Sequence, residues 1–234
     1  MIREKLTDGC CRLVPDASLT PERAAAAIND LRTRFGFDRF YLSFDYCADR
    51  ESVTAFRLRT DRAVSALRKN LPRTVRLIPM AALQLSPALS QNAELERLRL
   101  ADSGYLPLAL PLISYADWID TELNRLLYKR HLSPLFLSFE LCTVLYPPDV
   151  IEKLTRIGNA AFQFGYKSLC DPAVCKIIST LLRRGNPVLL GTSANTPEKV
   201  NAFDLAYYRE CAFRHLKSAD YRSLLEQSRA LPSV

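Results

Sequence analysis

The stretch PVLLGTSANTPE, residues 187–198, leads from an apolar segment through a polar turn into the start of a helix. Residues 187–190 predict a short buried strand. Thr196, followed by Pro197 and Glu198, is typical of a helix start: threonine caps the first turn, proline fits the first helical position, and an acid interacts favourably with the helix dipole. A buried strand that leads into a capped helix is a building unit of α/β folds.

The same unit recurs along the chain about seven times. Strands are predicted at 10–14, 39–44, 75–79, 105–111, 134–139, 160–164 and 187–191. Helices are predicted from Pro21 to Gly36 and at 52–70, 115–130, 148–157, 172–184, 197–214 and 218–231. The strands are short and largely apolar rather than alternating, as expected when both faces of a parallel sheet are covered. We therefore predict an α/β fold, a single (β/α)7 TIM-like barrel over residues 1–234, with helix 218–231 packed on it.

Composition narrows the classes of function. The chain has 234 residues, of which 48% are hydrophobic, and no apolar run of about 20 residues, so no membrane span is expected. Only seven glycines are present, and the phosphate-binding motifs GxGxxG and GxxxxGK[ST] are absent. The net charge of +7 has no basic block with interleaved aromatics, so nucleic acid is not the expected partner. An acidic or phosphorylated protein segment suits this charge equally well.

Cysteine usage indicates the compartment. Seven cysteines form an odd set without zinc-site spacing, and the N-terminal residues MIREKLTDGCCRL contain no signal-peptide pattern. The CxxxxxR loop of cysteine phosphatases is also absent. Free thiols and a cytoplasmic location are therefore expected.

The residues at the strand ends carry a resemblance to a known family. The segments DGCCRLVP (8–15), SFDY (43–46), PLFLSFEL (134–141), FQFGYKSL (162–169) and LLGTSANT (189–196) follow in order at the ends of predicted strands. In this order and spacing the chain resembles the PHP (polymerase and histidinol phosphatase) superfamily, and within it the manganese-dependent tyrosine phosphatases of bacterial capsule loci. The resemblance implies a distorted, PHP-like form of the barrel.

The positions of the family's metal ligands are changed here. The resemblance implies that Cys10 and Arg12 stand at two histidine positions of the first strand, while Asp8 is retained. Asp45 and Ser138 stand at histidine positions of the second and fifth strands, and Glu140 is retained. Ser193 stands for a metal-binding aspartate and Asn195 for a histidine of the seventh strand. The bridging glutamate of the third strand corresponds to Ala81 or Ala82.

These replacements remove the chemistry that the family's manganese or other divalent ions need. Such ions require imidazole and carboxylate ligands to offset their charge. Arg12 brings a fixed positive charge to a cation position, which repels a metal ion. We therefore expect no metal, no cofactor and no catalytic residue of the family's type in this chain.

Three alternatives remain open for individual residues. Asp8, Asp45 and Glu140 either form a reduced site for one ion or, as we favour, pair with Arg12 or cap neighbouring turns. The cysteines near strand ends either converge on a thiolate or redox centre or fill small buried spaces, which is commoner. Arg12, Lys167 and Ser168 either bind an anion at the mouth or, as we favour, Arg12 alone serves as an internal counter-charge that holds Asp8, Asp45 or Glu140; both roles are compatible.

Together these observations predict a catalytically degenerate PHP-domain protein that binds, regulates or scaffolds a partner and is related to capsule and exopolysaccharide tyrosine phosphatases. The alternative is a metal-dependent phosphoesterase or protein-tyrosine phosphatase with an atypical site. The predicted ligand-binding residues of the degenerate mouth are Asp8, Cys10, Arg12, Asp45, Ser138, Glu140, Lys167, Ser193 and Asn195.

Overall fold

Seven parallel strands form one sheet whose strand order follows the chain. The computed structural model describes residues 6–101, 103–228 and Leu231. The strands are β1 (Leu6–Cys11), β2 (Phe37–Tyr46), β3 (Arg76–Gln84), β4 (Leu106–Ala109), β5 (Pro134–Leu137), β6 (Ala161–Gly165) and β7 (Val188–Gly191). Every neighbouring pair from β1–β2 to β6–β7 is parallel.

Helices connect the strands and cover the outside of the sheet. They are α1 (Pro21–Phe35), α2 (Val53–Arg68), α3 (Asp117–Asn124), α4 (Cys142–Leu145), α5 (Pro148–Thr155), α6 (Pro172–Arg184), α7 (Pro197–Asn201), α8 (Leu205–His215) and α9 (Ser218–Gln227). Among the described residues, no helix is long and apolar enough to cross a membrane.

The first and last strands meet and nearly close the barrel. The amide of Ser193 donates a hydrogen bond to the carbonyl oxygen of Cys10 at 2.9 Å, and the amide of Arg12 donates to the carbonyl oxygen of Ala194 at 2.9 Å. The α/β fold, with a (β/α)7 TIM-like barrel, is therefore confirmed.

Two apolar layers follow from the alternation of side chains along each strand. A small cluster includes Tyr41, Met80, Leu135 and Leu189, all fully buried, and contains no residue of helices α1–α9. This cluster fills the barrel interior. The neighbouring strand positions join the larger cluster between the sheet and the helices, as Phe40 and Leu190 do.

Helix starts follow local sequence signals. The side chains of Thr20, Ser52, Asp171 and Thr196 each accept a hydrogen bond from a backbone amide in the first turn. The helix ends at Gly36 and Gly185 use a left-handed backbone, with φ of 87° and 81°, which glycine adopts without steric cost. These boundaries agree with the predicted ones.

Several other predicted boundaries were wrong. The first strand begins at Leu6 rather than at residue 10, because Thr7 and Asp8 also face buried surroundings. Helix α3 begins at Asp117 rather than at residue 115, has no side-chain cap, and continues into a π-helical turn at 125–129.

The predicted helix 197–214 is two helices, because Asp204 caps a new start by accepting from the amide of Tyr207 at 3.0 Å. The final helix ends at Gln227, and residues 229 and 230 of its predicted span lie outside the described residues.

The close approach of β1 and β7 yields a test. A Cβ atom at Gly191 would lie 2.6 Å from the amide nitrogen of Cys10 and 2.9 Å from Nε2 of Gln163. Gly191→Ala is therefore expected to lower the free energy of unfolding by about 1–3 kcal/mol, since backbone atoms must move. Gly158→Ala is the matched control, because nothing lies within 4 Å of its Cβ position. Urea unfolding followed by circular dichroism measures both, and equal stabilities of the two variants would contradict the tight seam.

Candidate functional site at the barrel mouth

A cavity of about 640 Å³ opens at the carboxyl ends of strands β1 to β5. This end of a parallel barrel is where binding and catalytic residues of such folds gather. The lining residues are Cys10, Arg12, Ser43, Asp45, Tyr46, Cys47, Arg50, Glu51, Arg59, Ala82, Gln84, Ala109, Leu110, Leu112, Leu137, Ser138, Leu141 and Cys142. Four of the predicted site residues, Cys10, Arg12, Asp45 and Ser138, therefore share one cavity.

Guanidinium groups dominate the electrostatics of this cavity. Nη2 of Arg12 lies 2.5 Å from Oδ1 of Asp45, and both side chains are exposed, by 45% and 77%. Arg59 pairs through two nitrogens with Glu51, and also donates to the carbonyl oxygen of Asp45 at 3.1 Å. The side chain of Arg50 makes no hydrogen bond or ion pair with the described residues. The guanidinium groups of Arg12, Arg50 and Arg59 thus face the carboxylates of Asp45 and Glu51. Among the residues that the structure describes, Arg50 is the one of the three without a carboxylate partner.

Asp8 is fully buried beneath the mouth and does not line the cavity. Its Oδ1 accepts from the amides of Thr192 at 2.8 Å and Cys10 at 3.2 Å, and its Oδ2 accepts from the hydroxyl of Thr192 at 2.6 Å. Burial raises the pKa of Asp8 to about 6, although these hydrogen bonds act in the opposite direction. This carboxylate therefore connects β1 to the turn after β7.

Glu140 and Ser138 organise the turn after β5. Ser138 has a left-handed backbone with φ of 48°, and its amide donates to Oε1 of Gln163 at 2.8 Å. Oε1 of Glu140 accepts from the amide of Gly165 at 3.1 Å, while its Oε2 is buried without a partner among the described residues. Burial raises the pKa of Glu140. This acid thus holds the β5 turn against the end of β6, outside the residues that line the cavity.

The remaining predicted residues stand apart from the cavity. Ser193 has a left-handed backbone with φ of 52° and contributes its amide to the seam between β1 and β7. Lys167 and Asn195 are exposed to solvent, and neither lines the cavity. Of the nine residues predicted to form one mouth, four line the cavity and the other five lie beneath or outside it.

Cys10 lies on the wall of the cavity but is buried. Burial, reinforced by the nearby charge of Asp8, raises the pKa of its thiol to about 12. Because metal ions and electrophiles react with the thiolate, a protonated Cys10 is a poor ligand and a poor nucleophile at neutral pH.

The donor set does not fit the divalent ions of the family that the chain resembles. Across residues 6–101 and 103–228, no three His, Cys, Asp or Glu side chains converge as a metal site requires. The oxygens of Asp8 are occupied by hydrogen bonds, and Asp45 is held by the guanidinium of Arg12. Hard divalent ions require several available oxygen or nitrogen donors.

Several residues of the mouth were not identified from the sequence. Arg50 and Arg59 flank the start of α2 and belong to no motif, and only Arg59 lies in a stretch that a local charge count singles out. Residues 57–76 contain seven basic residues and one acidic residue, a net charge of +6 in a chain of +7. Thr192 lies in the turn quoted above, directly before Ser193, and its contact with Asp8 depends on barrel closure.

Comparison with solved structures places the fold. One match comes from the pair YwqE of Bacillus subtilis and CpsB of Streptococcus pneumoniae, described as unique metal-dependent tyrosine phosphatases. It covers 97% of this chain and 98% of its own, with a TM-score of 0.65 and 14% identity. Histidinol phosphate phosphatase from Lactococcus lactis, solved with zinc, L-histidinol and phosphate, covers 99% and 95%, with a TM-score of 0.52 and 8% identity.

These likenesses confirm the PHP-like barrel expected from the sequence. No protein-family model matches the sequence, and the search of curated proteins gives no match.

The burial of Asp8 predicts a pH-dependent stability. Its pKa rises from 3.8 to about 6 on folding, so the stabilisation is complete below about pH 4 and is lost as pH rises through 6. Between pH 4 and 7, the free energy of unfolding of the wild type should fall by about 2.4 kcal/mol relative to Asp8→Asn. An asparagine keeps an acceptor for both amides and offers a donor to Thr192. Urea unfolding across this pH range measures the difference.

Asp16→Asn is the control for this experiment. A hydrogen bond from the Ser18 side chain lowers the pKa of Asp16 below 3.8, so its contribution changes only below about pH 4. A wild type whose stability follows that of Asp8→Asn across pH 4–7 would contradict the buried, titrating carboxyl.

Proposed function

We propose that this chain is a catalytically degenerate PHP-fold protein that binds an acidic or phosphorylated polypeptide segment at the barrel mouth and acts as a binding or regulatory protein. One observation carries the proposal: the cavity presents the guanidinium groups of Arg12, Arg50 and Arg59, while the carboxylate of Asp8 is committed to holding the barrel together.

Guanidinium groups are well suited to phosphoryl and carboxylate ligands, because their planar donors pair with two oxygens at once. Arg50 is available without breaking any contact within the described residues. Arg12 is bound to Asp45 by an exposed ion pair, which contributes at most about 1 kcal/mol. An incoming anion can therefore replace Asp45 at small cost.

The rim of the mouth supports a polypeptide ligand rather than a small anion alone. Leu112 and Leu141 line the cavity and are exposed by 56% and 45%. Ile113, which follows Leu112 in the chain, and Val144, on the short helix α4 after Leu141, are also exposed. An apolar or aromatic residue beside the anionic group would cover these side chains. Acidic neighbours would be attracted by Arg57 and Arg62, which are exposed on α2 within one turn of Arg59.

The alternative is a metal-dependent phosphoesterase with an atypical site. It is supported by the names of the two structural matches, a metal-dependent tyrosine phosphatase and a zinc-bound histidinol phosphate phosphatase. It requires a metal ion to displace existing interactions. Asp8 would lose its hydrogen bonds to Thr192, Asp45 would lose its ion pair with Arg12, and the thiol of Cys10 would have to lose its proton. The energetic cost of those exchanges favours the binding function.

We further propose a bacterial, cytoplasmic setting and a relation to capsule or exopolysaccharide phosphatases. The bacterial origin of the structural matches supports the first, and the free state of all seven cysteines supports a reducing compartment. A phosphorylated tail of a capsule-locus kinase is one partner of the required chemistry.

The mouth is tested by peptide binding with charge-matched variants. The probe is a fluorescein-labelled peptide of glutamates around one phosphotyrosine, followed by fluorescence anisotropy. Arg50→Ala should weaken its binding about tenfold or more, because a charge-assisted hydrogen bond is worth about 1.5–3 kcal/mol. Arg222→Ala, an exposed arginine on α9 outside the cavity, should change it less than about twofold. Both variants lower the net charge by one.

Two results would contradict the binding function. Equal affinities of the Arg50 and Arg222 variants would show that attraction is not localised at the mouth. Steady release of phosphate from the peptide by the wild type would favour the phosphoesterase instead.

A further inference from the structure

A second cluster of reactive groups lies outside the mouth cavity, where α8 packs on the segment that follows β6. Cys170 ends the 3₁₀ segment 166–170, and Cys211 lies on α8, 41 residues further along the chain. Their sulfur atoms are 2.7 Å apart, closer than a van der Waals contact of two sulfurs. Cys211 is buried and Cys170 is partly exposed, so solvent reaches the pair from the Cys170 side.

Neighbouring groups change the acidity of the Cys170 thiol. Its pKa is raised by burial and by the contact with Cys211, and hydrogen bonding to Tyr207 and the charge of Arg214 offset this rise only in part. Tyr207 interacts with both sulfurs and is itself 51% exposed. Cys175 lies near the pair, but it is fully buried and its thiol donates to the carbonyl oxygen of Leu169 at 3.3 Å.

We propose that Cys170 and Cys211 form a redox-active pair that a peroxide converts into an intramolecular disulfide. The thiolate fraction of Cys170, which is small at neutral pH because its pKa is raised, attacks one oxygen of hydrogen peroxide. An S–O bond forms, the O–O bond breaks, and the leaving hydroxide takes the proton of the Cys211 thiol to become water. The resulting thiolate of Cys211, held 2.7 Å away, then attacks the sulfenic sulfur of Cys170. The S–S bond forms as the S–O bond breaks, and the departing hydroxide takes up the proton that Cys170 released, which gives a second water.

In total, two thiols and one peroxide give one disulfide and two waters, and the two sulfurs supply the two electrons that reduce the peroxide.

The cross-link joins α8 to the segment 166–170, which follows β6 and carries Lys167 and Ser168. Because it bridges 41 residues of chain, the oxidised protein should unfold about 10 °C higher than the reduced protein.

The proposal is tested on the full-length wild-type chain. Reduced protein is treated with hydrogen peroxide, blocked with N-ethylmaleimide and digested with trypsin. The expected product is SLCDPAVCK (168–176) linked to ECAFR (210–214). Fragmentation at the Asp171–Pro172 bond separates Cys170 from Cys175 and assigns the sulfur.

Variants of the cysteines isolate the pair. Cys170→Ser and Cys211→Ser should each abolish the link, while Cys175→Ser retains it. Thermal unfolding of oxidised and reduced wild type gives a second readout that needs no substitution.

Tyr207→Phe tests the neighbouring hydroxyl. Loss of its hydrogen bond should raise the pKa of Cys170, so the profile of cross-linking rate against pH should move to higher pH while the product stays the same. The proposal would be overturned if both cysteines remained alkylatable after peroxide, if they were oxidised without a link, or if the link ran to Cys175.

Discussion

The barrel depends on the seam between its first and last strands, and on the buried carboxylate of Asp8 that holds it. Asp8 accepts three hydrogen bonds, two of them from Thr192 in the turn after β7. The backbones come so close there that Gly9 and Gly191 leave no room for a Cβ atom. Since the seam fixes the strand ends on either side of it, Arg12 and Ser193 take their positions from it as well.

The hydrogen bonds of Asp8 across the seam explain one way in which the mouth differs from the metal centre expected in the family that the chain resembles. A carboxylate at a ligand position serves here as a structural acceptor, and a guanidinium at a histidine position pairs with Asp45 across the opening. Glu140 likewise connects the turn after β5 to Gly165. Asp8 and Asp45 thus have protein partners, and one oxygen of Glu140 has one, while the guanidinium groups of Arg12, Arg50 and Arg59 line the opening.

Local signals in the sequence predicted much of this fold. Thr20, Asp171 and Thr196 start helices where expected, because capping depends on residues within one turn. The break between α7 and α8 was missed, since Asp204 forms a cap inside an apolar pattern that also suits one long helix. The early start of β1 was missed because a buried Asp8 becomes favourable only when Thr192 reaches it from the other end of the chain.

The candidate site was harder to predict, because its residues also come together from distant parts of the chain. The resemblance identified Cys10, Arg12, Asp45 and Ser138, which do share the cavity, but it also grouped Lys167 and Asn195, which do not. Arg50 and Arg59 belong to no motif and reach the mouth only through the placement of α2. The contact of Cys170 with Cys211 similarly depends on how α8 packs, which no short-range pattern encodes.

The central claim, that the strand ends have exchanged metal binding for internal pairing and anion binding, is tested most directly by elemental analysis of the purified wild-type protein alongside a p-nitrophenyl phosphate assay in excess Mn²⁺. The account predicts manganese, iron and zinc well below one equivalent per chain and no hydrolysis above the buffer rate. Stoichiometric metal that copurifies with the chain, together with phosphate release, would contradict it.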